Sequence, residues 1–194
     1  MYICELMNIR EYRDHFLTKL NNFRSYGVLS MPENIYNYLV KIMLEILKYY
    51  IKEKQTDSGT EIIIDYNIIR YIFILSQTFF YMKDGKRVYL QNGLKNLQLF
   101  QDVELWKNLL QINIKEELEN MAKKRNIKFD EKEYKEKGRE ICLMQILPYI
   151  GGFNGFGMKK EKIKEIADFF IREYNLNESE KEVIFQAYNG LIDN

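Results

Sequence analysis

The chain has 194 residues, 46% of them hydrophobic and 29% charged, which is enough to bury a sizeable core. Lysine plus arginine number 29 and aspartate plus glutamate 28, and a formal net charge of +1 excludes the strong bias of a general nucleic-acid or anionic-membrane binder. Two prolines and ten glycines exclude collagen-like and disordered classes, while one histidine and two cysteines leave too few groups for most metal and hydrolytic constellations.

Met1-Tyr2-Ile3-Cys4-Glu5 reaches a charge at its fifth residue and shows neither a basic leader nor an apolar signal core. The expectation is a cytoplasmic protein in which Cys4 and Cys142 are reduced thiols. Ile9, Tyr12, Phe16, Leu20 and Phe23 recur at helical spacing opposite Arg10, Arg13, Asp14 and Lys19, which predicts a first amphipathic helix with the apolar set inside. His15 has no second histidine or cysteine at metal-ligand spacing and reads as structural or surface. Ser30-Met31-Pro32-Glu33 predicts a second helix start, with a capping serine, a first-turn proline and a carboxylate returning to the cap. Its core face reads Ile35, Leu39, Ile42, Ile46 and Tyr49.

Gln55-Thr56-Asp57-Ser58-Gly59 is a polar turn cluster, and Asp65 is placed to cap an apolar helix through Ile68, Ile69, Ile72, Leu75 and Phe79. The stretch from Ile62 to Met82 is the most lipid-like, but Arg70 in its middle costs roughly 2.5 kcal/mol or more in a bilayer. A buried helix and no transmembrane segment follow. Asp84-Gly85, between Phe79-Phe80-Tyr81 and Val88-Tyr89-Leu90, predicts a tight hairpin. Helix resumes through Leu94 and Leu97, and a longer one starts near Asp102 with Leu105, Trp106, Leu109, Leu110 and Ile112, the tryptophan anchoring the core.

From Lys115 to Glu140 nine basic side chains meet eight acidic ones, and this cancellation predicts a solvated helix end and a mobile connection near 123–139. Ile141 to Ile150 reads as an apolar helix stopped or bent by Pro148 and closed by Gly151-Gly152. Gly152 and Gly157 are spaced like a phosphate loop, but Met158 stands where lysine is required. Gly152-Phe153-Asn154-Gly155 fits a GxxG pattern without strand-rich surroundings. The segment therefore reads as a helix cap and turn. In its functional version, Phe153 and Phe156 beside Lys159 and Lys160 form an aromatic and basic interaction patch. A helix with Ile163, Ile166, Phe169 and Phe170 follows, and Ser179 with Glu182 predicts a capping box before a last helix carrying Val183, Ile184, Ala187 and Leu191. The fold class expected is all-α: one domain over 1–194, an irregular helical bundle or helical-hairpin array of about seven helices with one short β-hairpin.

Ser76-Gln77-Thr78-Phe79-Phe80-Tyr81, Gly85-Lys86-Arg87-Val88-Tyr89-Leu90-Gln91 and Leu97, Phe100 with Glu104-Leu105-Trp106 form one block. Gln145-Ile146-Leu147-Pro148-Tyr149 through Phe156-Gly157-Met158-Lys159, with Ile171 and Tyr174-Asn175-Leu176, form another. Together, over roughly residues 60 to 190, they resemble the helical domain between the DENN and phosphatase-like modules of SET-binding-factor (myotubularin-related) proteins. The resemblance rests on packing motifs and carries no active-site residues. It implies an interaction domain in membrane traffic or cytoskeletal signalling.

The functional expectation is a non-catalytic adaptor or scaffold with a protein partner, no nucleic acid, no cofactor, no metal and no catalytic residue. Two other readings stay open: a regulator or effector of a small GTPase, and an enzyme whose tyrosine, lysine and glutamate side chains converge from remote positions.

Overall fold

The computed structural model describes residues 5–24, 27, 29–49, 51–56, 59–95 and 97–190, with 51–56 and 59–63 described by their backbone. Cys4, Asp57, Ser58 and Leu191 lie outside the described residues. The chain is predominantly helical and divides into two compact units, Met1–Lys95 and Asn96–Asn194.

The first unit begins with α1 (Arg10–Arg24), whose buried residues are Arg13 and Leu17. Ile9, Tyr12 and Phe23 of the expected core stripe are 45%, 49% and 55% exposed. The helix is rotated by about a fifth of a turn from the predicted orientation, so Phe16 and Leu20 lie at the edge of the interface. Arg13 is the reason the periodicity misleads. Its guanidinium donates to the Met7 carbonyl at 2.6 Å and lies 4.8 Å from the centre of the Tyr49 ring, which lets a charged side chain occupy an inward position.

After the short strand β1 (Leu29–Ser30) comes α2 (Glu33–Leu47). Its N-cap is Pro32 with no side-chain bond, so the expected Ser30 capping box is absent: β1 draws Ser30 into parallel pairing with Phe80. Tyr36, Leu39, Ile42, Met43, Ile46 and Leu47 form its inner face, while Ile35 is half-exposed. β2 (Ile51–Thr56) and β3 (Gly59–Ile64) make an antiparallel hairpin, pairing Ile51 with Ile64 and Thr56 with Gly59. Where the sequence predicts only a polar turn the structure has this hairpin, and the helix expected to run through Phe79 ends at Ser76, with Phe79 in the next strand. The run Ile62-Ile63-Ile64 is β-branched and extended, and helix starts only at α3 (Tyr66–Ser76), where Asp65 accepts from the Ile68 amide as expected.

The predicted second hairpin is present as β4 (Phe79–Lys83) and β5 (Lys86–Tyr89). Asp84 and Gly85 both take positive φ, 49° and 74°, as a two-residue turn of this hand requires. Tyr36 ties α2 to this sheet by donating to the Tyr89 carbonyl at 3.1 Å and packing 4.6 Å from the Tyr81 ring. In α4 (Leu90–Leu94), a Cβ on Gly93 would come within 2.6 Å of a Val40 methyl, so only glycine admits this approach.

The second unit opens with a 3₁₀ turn (Gln98–Gln101) and α5 (Val103–Arg125), capped by Asp102 accepting from the Leu105 amide. α6 (Glu131–Gly155) follows after a short link, so helix occupies both ends of the 123–139 stretch expected to be a connection. α6 is not stopped at Pro148 and not closed at Gly151-Gly152; it runs on to Gly155, and positive-φ Gly157 ends it. The buried side chains Tyr149, Ile150 and Phe153 hold that last stretch against the core. Pro148 and Met144, one turn before it, are both exposed, so the carbonyl that proline leaves unbonded is on the solvent side.

α7 (Lys160–Glu173) buries Ile163, Ile166, Ala167, Phe170 and Ile171. α8 (Glu178–Asn189) starts on a capping box made by Asn177 and Glu180, not by Ser179 and Glu182. Ser179 is instead the donor to the Asn177 carboxamide oxygen at 2.6 Å. Trp106 is completely buried, donates to the Phe100 carbonyl at 3.3 Å and packs against Phe100, Tyr149 and Phe153. Val183 and Ile112 of the expected core are partly exposed.

Candidate functional site

The aromatic and basic patch expected at Phe153, Phe156, Lys159 and Lys160 is not assembled. Both phenylalanines have 0% exposure, because α6 continues past the two glycines and turns them into the Trp106 cluster. Lys159 is exposed at the N-cap of α7 and Lys160 is half-buried, so two separate cations remain of the four residues. His15 is exposed, and among the described residues no three histidine, cysteine, aspartate or glutamate side chains converge where a metal ion is held.

The second unit instead carries a groove of about 850 Å³ between the first turns of α6 and the corner joining α7 to α8. α6 contributes Glu131, Lys132, Tyr134, Lys135, Gly138 and Arg139, and the corner contributes Glu173, Tyr174 and Asn175. Local chemistry positions each wall. Asp130 accepts from the Glu133 amide at 2.8 Å and the Glu133 carboxylate accepts from the Asp130 amide at 3.2 Å, which starts α6 abruptly. At the corner Asn175 takes φ of 48°, the Leu176 amide bonds back to Ile171 and the Asn175 amide to Arg172, closing α7 in a Schellman turn that leaves Tyr174 facing α6. The Tyr174 ring lies 3.5 Å from where a Gly138 Cβ would stand, an ordinary contact distance, and both residues line the groove.

Electrostatically the groove is mixed. Lys135 pairs with Glu131 at 2.7 Å and holds that carboxyl below its ordinary range, a fully solvated pair of little energetic weight. Burial, with Cys142, Glu173 and Tyr134 nearby, pushes the Tyr174 phenol well above its ordinary value. Burial, followed by the Glu180 carboxylate, pushes the free Cys142 thiol up to about 12. Both groups are therefore held protonated at neutral pH, which suits packing and hydrogen bonding and is opposite to what nucleophilic attack requires.

Gly138 was the one available sequence signal for this groove. A lone glycine in a helical pattern costs about 1 kcal/mol against alanine and marks a close approach or a recess. The second wall comes from a corner 35 residues further on, which no local pattern announces. Comparisons with protein-family models, with curated proteins and with solved structures found no match. Among the described residues no helix is long and apolar enough to cross a membrane.

Proposed function

We propose that this chain is a non-catalytic protein-interaction module, an adaptor or scaffold, that seats a segment of a protein partner in the α6–α7–α8 groove. The observation that carries this reading is the groove itself. Two tyrosines and an arginine, Tyr134, Tyr174 and Arg139, stand around a glycine floor, and these residue types dominate binding energy where proteins meet. Alternating charges along the rim set the register of a segment of mixed charge. A cytoplasmic role in membrane traffic or cytoskeletal signalling agrees with the resemblance of residues 60 to 190 to the SET-binding-factor helical domain.

The test is site-directed photo-crosslinking. A benzoylphenylalanine replacing Lys132, at the rim, captures a discrete protein from native lysate, and Arg139→Glu with Tyr134→Ala in the same chain abolishes capture while the far-ultraviolet spectrum is unchanged. Repeating the capture with GDP and with a slowly hydrolysed GTP analogue identifies a small-GTPase partner by its dependence on nucleotide. Absence of any adduct that depends on the groove residues overturns the assignment.

A further inference from the structure

The balance of nine cations and eight anions from Lys115 to Glu140 is a property of the window and not of the surface. Between Asn120 and Phe129 there is no carboxylate, and Lys123-Lys124-Arg125-Asn126-Ile127-Lys128 carries four cations in six residues. These six residues span the last turn of α5 and its link to α6, and every one of them is exposed. Asn126, at φ of 50°, ends α5 in a Schellman turn, the Ile127 amide bonding to Ala122 and the Asn126 amide to Lys123. That turn fixes Ile127 at the tip with 44% of its surface in solvent, above a shallow recess of about 430 Å³ lined by Ala122, Lys123, Asn126 and Lys128, with Glu119 at its edge.

Ion pairing does not reach this tip, and what sets it apart from other cations of the unit with no carboxylate within 4 Å, such as Lys115, Lys132, Arg139 and Lys159, is the run of four in six residues. Lys107, Lys135, Lys137, Lys164 and Lys181 each lie within 4 Å of a carboxylate. Among the described residues, Lys123, Lys124, Arg125 and Lys128 have no such partner. The last three residues of a helix gain from positive charge, which accounts for Lys123, Lys124 and Arg125 in part. It does not account for Lys128, which lies beyond the helix, nor for an aliphatic side chain held outward among cations.

We propose that the α5–α6 turn is a docking tip for an anionic membrane surface, where Lys123, Lys124, Arg125 and Lys128 meet lipid phosphates and carboxylates and Ile127 enters the headgroup layer. Two features favour a lipid surface over a nucleic acid. An exposed aliphatic side chain gains by entering the interface but gains nothing from a phosphodiester backbone. A single-stranded nucleic acid calls for an exposed aromatic platform, and the tip's one aromatic, Phe129, is half-buried. A net charge of +1 is no obstacle, because attraction to a charged membrane acts within about one Debye length of roughly 8–10 Å.

The full chain tests this by co-sedimentation with vesicles of phosphatidylcholine alone and of phosphatidylcholine with roughly one third phosphatidylserine. Binding is expected only to the second, weakening steeply as salt rises from about 0.1 M to about 0.5 M. Each basic residue at such a surface is worth about five-fold in partitioning, so Lys124→Gln with Lys128→Gln is expected to weaken binding by about 25-fold. Ile127→Ser weakens it further at constant charge. Lys83→Gln with Lys86→Gln, at the exposed β4–β5 turn, is the charge-matched control and leaves binding unchanged. Melting curves identify any variant that fails to fold, and Ile127→Ser alone then carries the test. Equal binding to neutral vesicles, indifference to the tip substitutions, an equal loss in the control, or tip-dependent retention on RNA without vesicle binding would each overturn the proposal.

Discussion

Cys142 shows at residue scale how burial turns into pH dependence. Its thiol is held up to about 12 in the folded chain, against an ordinary value of 9.0. Below about pH 9 both states keep the proton, and the stability linked to this group is fully present and independent of pH. Above it the unfolded chain ionises while the folded one resists, so the stabilisation is lost as pH rises, at up to roughly 1.4 kcal/mol per pH unit. Cys142→Ala is expected to lower the melting temperature at pH 7, through lost packing, and to flatten its decline between about pH 9 and 10.5. Parallel declines in the two proteins would refute the assignment. Arg13 illustrates another effect at this scale. A residue type read as solvent-facing is buried because one carbonyl and one aromatic ring receive its charged end.

At the scale of elements, periodicity located most helices and misjudged their ends. Asp65 and the Asp84-Gly85 turn were legible because each needs only residues within three positions. The start of α8 was displaced by two residues because two overlapping motifs compete. Asn177 with Glu180 and Ser179 with Glu182 both satisfy the capping pattern, and the structure uses the first. Asn177→Ala is accordingly expected to cost about 1 kcal/mol in urea unfolding, and Ser179→Ala clearly less. The reverse order would return the cap to Ser179. Pro148 and the Gly151-Gly152 pair would end an isolated helix, but the burial of Tyr149, Ile150 and Phe153 outweighs their local cost.

At the scale of the whole molecule, each unit has its own apolar core, and that of the second gathers on Trp106, Phe100, Phe153 and Phe156. Trp106 is the sole tryptophan of the chain, so its emission reports on that unit alone. A fragment spanning 96–194 is expected to unfold cooperatively and to keep the blue-shifted emission of a buried indole. Emission already red-shifted in the absence of denaturant would show that this core does not stand by itself. Charge shifts across the boundary after Lys95, from 13 basic and 10 acidic side chains in the first unit to 16 and 18 in the second, while isoleucine is frequent in both and no linker-like segment separates them.

By itself the sequence determined the helical class, the β4–β5 hairpin and the Asp65 cap, all of which depend on contacts between near neighbours. It did not determine which face of α1 turns inward, where α6 ends, the burial of Phe153 and Phe156, or the groove. Those depend on partners tens of residues away, whose burial energies outweigh local propensities of about 1 kcal/mol per residue. Charge follows the same division. Ion pairs with a carboxylate three or four positions along the same helix, at Lys135, Lys137, Lys164 and Lys181, are local, whereas the second contact of Lys107, with Glu165 of α7, is decided only when the helices pack.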